Sequence, residues 1–198
     1  MQPLPGDLAG TSAEGWLGRL IRHGTGSNIG HTVVMVRPTR DPDVWVTHEA
    51  LGRRDNHGRD GVQVTTRHLS TIVELVTIAR TDAEARCIVR RSEACVALNR
   101  GYDRLELVRI ACWMLANAAR VVHLRPVAWL LDRAGEWAYS RSDEDERICS
   151  HHVYLSVLAG RPELAQLTRH PASRIWPGEL MRVLRAQKRL DEETIHNN

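Results

Sequence analysis

The sequence predicts an α+β fold, and two observations support this class. Short runs rich in β-branched residues, bounded by turn-forming residues, crowd the first eighty positions, and such runs are typical of strands. Apolar residues at helical spacing fill the remainder of the chain. Strands followed by helices predict an antiparallel sheet with helices packed on it. The length of 198 residues suits one domain spanning positions 1–198.

The strand candidates occur in pairs. The first two flank a proline-containing turn, which predicts a hairpin. Ahead of them, the capping-box pattern Thr11-Ser-Ala-Glu14 predicts a short helix. The four strand candidates are residues 31–37, 44–51, 62–66 and 71–80.

Helices are predicted by caps and by apolar periodicity. A second capping box, Thr81-Asp-Ala-Glu84, opens a helix expected to end near Asn99. Pro177 suits the first turn of a final helix through Leu184. We interpret residues 104–142 as a helical insertion, and we predict that the polar tail at 186–198 is disordered. The remaining predicted helices are residues 105–119, a stretch beginning at Pro126, and residues 148–158.

Composition narrows the function classes. The net charge of +3 is small, and the basic residues are not evidently concentrated on one face. Nucleic-acid binding is therefore not predicted. The cysteines lack C-x-x-C spacing, which disfavours a zinc ribbon or a thioredoxin motif. Cys87, Cys95 and Cys112 are predicted to be small core residues. A reducing compartment fits free cysteines, and the first residues do not resemble a signal peptide, so we expect a cytoplasmic protein. Nothing predicts the oligomeric state.

Cys149 is the candidate nucleophile. It stands where a charged run, Asp143-Glu-Asp-Glu-Arg147, gives way to an apolar helical pattern. A thiol at a helix start has a lowered pKa, because it lies at the positive end of the helix dipole. His31 lies at the start of a predicted strand and is the candidate base, since a thiol beside an imidazole forms a nucleophile–base pair.

Glu49 is the candidate third member of this site. If Arg37 pairs with Asp43 in the predicted hairpin, Met35 faces Trp45 and His31 faces Glu49. Opposed residues place their Cβ atoms roughly 5 Å apart. Glu49 would then orient the His31 ring and stabilise its charged form. A slip of one residue would turn Glu49 to the other face of the sheet.

An ordered set of short motifs resembles one family, the permuted papain-like cysteine amidases. This is the circularly permuted, YiiX-like branch of the NlpC-type superfamily, related to the lecithin retinol acyltransferases. In this branch the histidine precedes the cysteine, as it does here. Gly30 and His151-His152 depart from the usual residues beside the histidine and the cysteine. The motifs are Gly6-Asp7-Leu8, Leu20-Ile21-Arg22, Thr25-Gly26-Ser27, Gly30-His31, Val46–Ala50, Gly101-Tyr102-Asp103, Ile148-Cys149-Ser150, Ala159-Gly160 and Ile175–Leu180.

The resemblance implies a fold, a reaction and site residues. It implies a permuted papain-like fold whose antiparallel sheet packs on the helix carrying Cys149. It also implies hydrolysis of an amide or ester acyl bond without a cofactor, with Cys149 as nucleophile, His31 as base and Glu49 as orienter. The N–H of Cys149 would help form an oxyanion hole. Tyr102 and Ser150 would contact the substrate, which is peptide-like or acyl in character.

Three alternatives stay open. Scattered histidines could bind a metal, although no H-E-x-x-H spacing is present and we predict no metal site. The chain could be a catalytically silent interaction module on the same fold. It could also act as a lipid acyltransferase or acyl hydrolase, because the insertion carries apolar residues suited to a membrane surface. The histidines are His48, His57, His68, His151 and His152, and the apolar residues are Trp113, Leu115, Trp129 and Leu130.

Overall fold

A computed structural model provides the structure of the protein. It describes residues 2–12, 19, 22, 26–51, 60–98, 101–102, 104–140, 149–167 and 175–196. Most of the helix predicted after Thr11 lies outside these ranges, as does the charged run ahead of Cys149. Thr11 itself is the last residue of a strand.

The structure confirms the α+β class. Five antiparallel strands form one sheet with the order β4-β3-β2-β1-β5, and all of them precede the helices described below. The first strand was not predicted as one, because four residues are too few to display a period; it pairs with β2 on one side and β5 on the other. The strands are β1 Leu8–Thr11, β2 His31–Pro38, β3 Val44–Leu51, β4 Gly61–His68 and β5 Ile72–Val76.

The predicted hairpin forms, but its predicted register is wrong. Met35 pairs with Thr47, and not with Trp45. The turn begins later than expected, since the Thr39 N–H donates to the Val44 carbonyl at 3.0 Å. A bulge between Met35 and Arg37 then shifts the pairing by one residue. On the His31 side of the bulge the net displacement is two residues, so the side chains there keep their predicted faces.

Five helices follow the sheet. The first begins as its capping box predicts, because the Thr81 hydroxyl accepts a hydrogen bond from the Glu84 N–H at 3.2 Å. Short 3-10 turns at Leu69–Thr71 and Pro162–Leu167 join neighbouring elements. The helices are α1 Asp82–Ala97, α2 Arg104–Val121, α3 Arg125–Tyr139, α4 Cys149–Gly160 and α5 Pro177–His196.

The main core lies between one face of the sheet and the helices α1, α4 and α5. Val34 of β2 packs there with Ile88 of α1 and Val153 of α4. The last residue of α4, Gly160, lies against α1, where an added Cβ would come within 2.6 Å of the Glu84 carbonyl oxygen. This close approach sets the distance between the two helices and fixes α4 on the sheet.

The tail predicted to be disordered is helical as far as His196. Its anchor is Arg161, which is 1% exposed. Arg161 donates to the Ile78 carbonyl at 2.8 Å and to Asp191 of α5 at 2.7 Å. The tail is polar in sequence, but its residue Asp191 neutralises the buried guanidinium of Arg161. This ion pair explains why α5 continues beyond Leu184.

The segment predicted as a helical insertion holds α2 and α3. These two helices pack mainly on each other, through Ala116, Ala119, Ala128 and Leu131. The prediction for the three other cysteines is only partly correct: Cys95 is buried and Cys112 is half-buried, but Cys87 is exposed. None of the described helices combines the length and apolar composition needed to cross a bilayer.

Candidate active site

The three predicted catalytic residues come together at one end of the sheet. His31 begins β2, Glu49 lies near the end of β3, and Cys149 begins α4. His31 Nε2 is 2.7 Å from Glu49 Oε2. The Cys149 thiol interacts with the His31 imidazole through a hydrogen bond and through charge. Because Nε2 contacts Glu49, Nδ1 is the ring nitrogen left for the thiol.

The local fold accounts for this meeting. The register of β2 and β3 is displaced by two residues from the predicted one, so Glu49 lies diagonally across from His31 on the same face. The N-terminus of α4 is brought close to this corner by packing of Val153 and Val157 on the sheet. Since α4 begins at Cys149, the thiol occupies the end of the helix where backbone N–H groups lack helical partners.

The charged forms of Cys149 and His31 stabilise each other, and this interaction dominates the electrostatics of the site. Burial of His31 favours its neutral form, but the nearby thiolate and Glu49 outweigh this and raise the pKa of His31 to about 10. Burial of Cys149 favours the thiol, yet the imidazolium and Thr32 together lower the pKa of Cys149. The two shifts favour a thiolate–imidazolium pair, which is the reactive form of such a site.

Glu49 is the most enclosed member of the site, with none of its surface exposed. Arg67 donates two hydrogen bonds to the Glu49 carboxylate, from Nε to Oε1 at 3.0 Å and from Nη2 to Oε2 at 2.5 Å. The Thr65 hydroxyl also donates to Oε1, and Thr47 donates to it at 3.3 Å. Burial alone would raise the pKa of Glu49, but its bonds to His31 and Arg67 hold that pKa well below its usual range.

Arg67 and Thr65 were missed in the sequence. A signal was present, because Gln63-Val-Thr65-Thr-Arg67 places polar residues at every second position of a strand. Those positions pair with Glu49, Thr47 and Trp45 of β3, as the register of the two strands shows. The alternation indicates a polar face, but the partner of that face follows only from the pairing.

Tyr102 and Ser150 have different environments. Tyr102 is half-buried and packs against a cluster that contains Cys149 and Ala50, and its contact with substrate stays a prediction. Ser150 is fully buried, and its hydroxyl donates to the Ile175 carbonyl at 2.5 Å. Ser150 therefore ties the segment before α5 to α4, which argues against its predicted contact with substrate.

A second polar cluster lies on the opposite face of β3. His48 Nδ1 is 2.9 Å from the Ser92 hydroxyl, which is 3.2 Å from His152 Nε2. All three side chains are buried, and burial lowers the pKa of His48 to about 4. These contacts join His48, which precedes Glu49 in β3, to α1 and to the first turn of α4. The cluster was not predicted.

A cavity of about 680 Å³ lies between the segment before β2 and the start of α5, and none of Cys149, His31 and Glu49 is among the residues that line it. Its wall includes Ile29, two residues before His31, and Trp176, which follows the carbonyl bonded by Ser150. The Trp176 ring packs against Trp113 of α2, with centroids 5.5 Å apart. Arg182 of α5 adds a cationic group to the same wall.

The histidines considered as metal ligands are dispersed. His48 and His152 belong to the Ser92 cluster, His68 bonds to Ser70 at 2.8 Å, and His57 lies outside the described residues. Within the described ranges, no three histidine, cysteine or acidic side chains gather closely enough to hold a metal ion.

The arrangement provides a charged nucleophile, a proton donor and a fixed carboxylate within one corner of the sheet. No protein-family model matches the chain, and no curated protein matches it in sequence. The geometry of this corner and the motifs of the sequence are therefore the features from which a function can be inferred.

Proposed function

We propose that the protein is a cysteine hydrolase with a permuted papain-like fold, and that it cleaves an amide or ester acyl bond. The observation that carries the proposal is the meeting of Cys149, His31 and Glu49 at the start of α4. Their chain order, with histidine before acid before cysteine, agrees with the resemblance described above. An antiparallel sheet behind the nucleophile helix agrees with the same fold.

In the first half of the reaction, the Cys149 thiolate attacks the acyl carbon. The carbonyl π pair moves to oxygen, and the N–H of Cys149 at the start of α4 helps to stabilise that oxyanion. The bond to the leaving nitrogen or oxygen then breaks as His31 donates its proton to that atom. The product is a thioester on Cys149, while His31 is left neutral.

In the second half, water attacks the thioester. Neutral His31 takes a proton from the water as the new C–O bond forms, and the bond to sulfur then breaks. The thiolate and imidazolium return together with the free acid. Glu49, held by Arg67 and Thr65, keeps the imidazole oriented and stabilises its positive charge in both halves.

The experiment that tests the proposal is labelling with iodoacetamide near pH 6, followed by mass mapping. An ordinary thiol is mostly protonated at this pH and reacts slowly. We expect fast labelling at Cys149 and slow labelling at the exposed Cys87, although Cys149 is 6% exposed. The His31→Ala variant should lose the fast phase. Equal rates at both cysteines would contradict the proposal.

Turnover is then tested with acyl amides, acyl esters and lipid esters, and with Cys149→Ala as the inactive control. A lipid acyl substrate is a second candidate, because Trp113, Leu115, Trp129 and Leu130 on α2 and α3 are all exposed. Release of fatty acid or its transfer to an acceptor would favour that candidate. Fast labelling of Cys149 without turnover of any acyl compound would favour a silent interaction module.

A further inference from the structure

Exposed apolar side chains are concentrated on the hairpin formed by α2, α3 and their connecting turn. Of the fifteen large hydrophobic residues exposed in the described ranges, ten lie on this hairpin. A concentration of this kind marks an interaction surface. The ten residues, called the hairpin surface below, are Val108, Trp113, Leu115, Val121, Val122, Leu124, Val127, Trp129, Leu130 and Trp137.

The end of α2 and the turn after it present the two most exposed of these side chains, Val121 and Val122. Val121 is 78% exposed, Val122 is 61% exposed and Leu124 is 51% exposed. The turn is ordered by two hydrogen bonds, from the Leu124 N–H to the Ala119 carbonyl at 2.8 Å and from the His123 N–H to the Arg120 carbonyl at 3.1 Å. His123 adopts a left-handed conformation with φ of 61°, as in helix C-terminal caps. The backbone therefore holds the apolar tip in a defined shape.

The charges around this tip have one dominant sign. From Trp113 to Leu131 the sequence contains no aspartate or glutamate, whereas it contains Arg120, His123 and Arg125. The nearest acid, Asp132, accepts a hydrogen bond from Arg120. Arg125 begins α3 and is exposed. Asp132 offsets the charge of Arg120, so Arg125 is the cation that borders the apolar tip. An apolar tip beside a cation complements a surface that is apolar below and anionic above.

We propose that the hairpin surface docks on an anionic lipid bilayer, with its tip at the level of the headgroups and upper acyl chains. Tryptophan favours this interfacial depth, and Trp129 and Trp137 are 59% and 55% exposed. Neither helix of the hairpin is long and apolar enough to cross the bilayer, so the attachment is peripheral.

Vesicle flotation tests this docking. We expect the full chain to float with vesicles of phosphatidylcholine and phosphatidylglycerol, and to bind about fivefold less to phosphatidylcholine alone. Added salt should weaken the binding, because it screens the cations. Leu130→Ser should reduce binding about tenfold, since one leucine side chain is lost from the bilayer. Leu98→Ser is the matched control, because Leu98 is also 59% exposed but lies directly after the end of α1.

Three outcomes would overturn the docking: no flotation with anionic vesicles, equal flotation with both lipids, or equal loss in the Leu98→Ser and Leu130→Ser variants. Size-exclusion chromatography without lipid provides a second measurement. A dimer that Val122→Ser dissociates would show that the surface serves a second copy instead. The docking does not depend on the proposed hydrolase chemistry, so Cys149→Ala should float like the unmodified chain.

Discussion

The corner around Glu49 and the hairpin of α2 and α3 distribute polar and apolar groups in opposite ways. At the corner, a carboxylate is fully enclosed and surrounded by donors. On the hairpin, apolar side chains such as Leu130 are 59% exposed. A charge is stable in the interior only where the fold supplies partners. Apolar exposure on this scale is the observation on which the proposed docking of the hairpin depends.

The contrast also predicts how the two regions respond to substitution. Removing one partner from a buried, hydrogen-bonded charge leaves the others unsatisfied and is costly. Removing an exposed apolar side chain changes the unfolding free energy little. Changes at the corner should therefore lower both activity and stability, whereas changes on the hairpin should lower membrane binding alone.

Glu49→Gln should have the largest effect. The amide cannot hold the imidazolium by charge, and it replaces one acceptor of the Arg67 and Thr65 bonds with a donor. We expect acyl-ester hydrolysis to fall at least about a hundredfold and the unfolding free energy to fall by about 1–3 kcal/mol. Steady-state kinetics and chemical denaturation measure the two quantities.

The matched control is Glu93→Gln, which removes the same charge from an exposed position on α1. It should leave both quantities nearly unchanged. Similar losses in the two variants would show that net charge, and not the contacts of Glu49, determines the effect.

The pH dependence of kcat/KM should be bell-shaped and displaced by the charges at the corner. Activity should rise as Cys149 loses its proton, at a pH below that of an ordinary thiol because its pKa is lowered. It should fall as His31 loses its proton, near its raised pKa of about 10, by about tenfold per pH unit beyond that point.

Glu49→Gln sharpens this assignment. The substitution removes one charge that raises the pKa of His31, so the alkaline limb should move to lower pH. An alkaline limb that stays in place would show that another group titrates there.

The sequence predicted the three residues of the candidate site, but it did not predict the residues that bond to Glu49. His31, Glu49 and Cys149 were predicted because residue chemistry and the strand period are local properties. The predicted register of β2 and β3 was wrong by two residues at this end of the hairpin. His31 and Glu49 still meet, because a displacement by an even number of residues leaves both side chains on the same face of the sheet. Arg67 escaped prediction because its role depends on the pairing of β3 with β4.

The other misses were also long-range contacts. Arg161 and Asp191 are thirty positions apart, and the polar composition around Asp191 resembles that of a free tail. Ser92 meets His48 and His152 across 44 and 60 positions. A local pattern cannot indicate such contacts, since they form only once the helices have packed on the sheet.

Ser92→Ala should have a smaller effect than Glu49→Gln. The variant removes the hydroxyl between His48 and His152, and we expect the unfolding free energy to fall by about 1–3 kcal/mol because buried ring nitrogens lose a partner. Activity should change less, since the variant leaves the contact between His31 and Glu49 in place. Thermal unfolding checks the first expectation, and the exposed Ser70→Ala variant on the 3-10 turn is the control.

Acid should weaken this cluster further. The pKa of His48 is lowered to about 4 in the folded protein, so between that value and the ordinary value near 6.5 the unfolded chain binds more protons than the folded one. Stability is therefore lost as the pH falls through this window. A His48→Gln variant should show a shallower loss, and an unchanged pH dependence would indicate that other groups cause it.

The smallest effect on stability is expected for Leu130→Ser on the hairpin. The side chain is 59% exposed on α3, so folding removes little of its apolar area from water. We expect the unfolding free energy to change by less than about 0.5 kcal/mol and acyl hydrolysis of a water-soluble ester to be unchanged. A loss as large as that of Ser92→Ala would place Leu130 in a core contact, and the contrast between the enclosed corner and the open hairpin would fail.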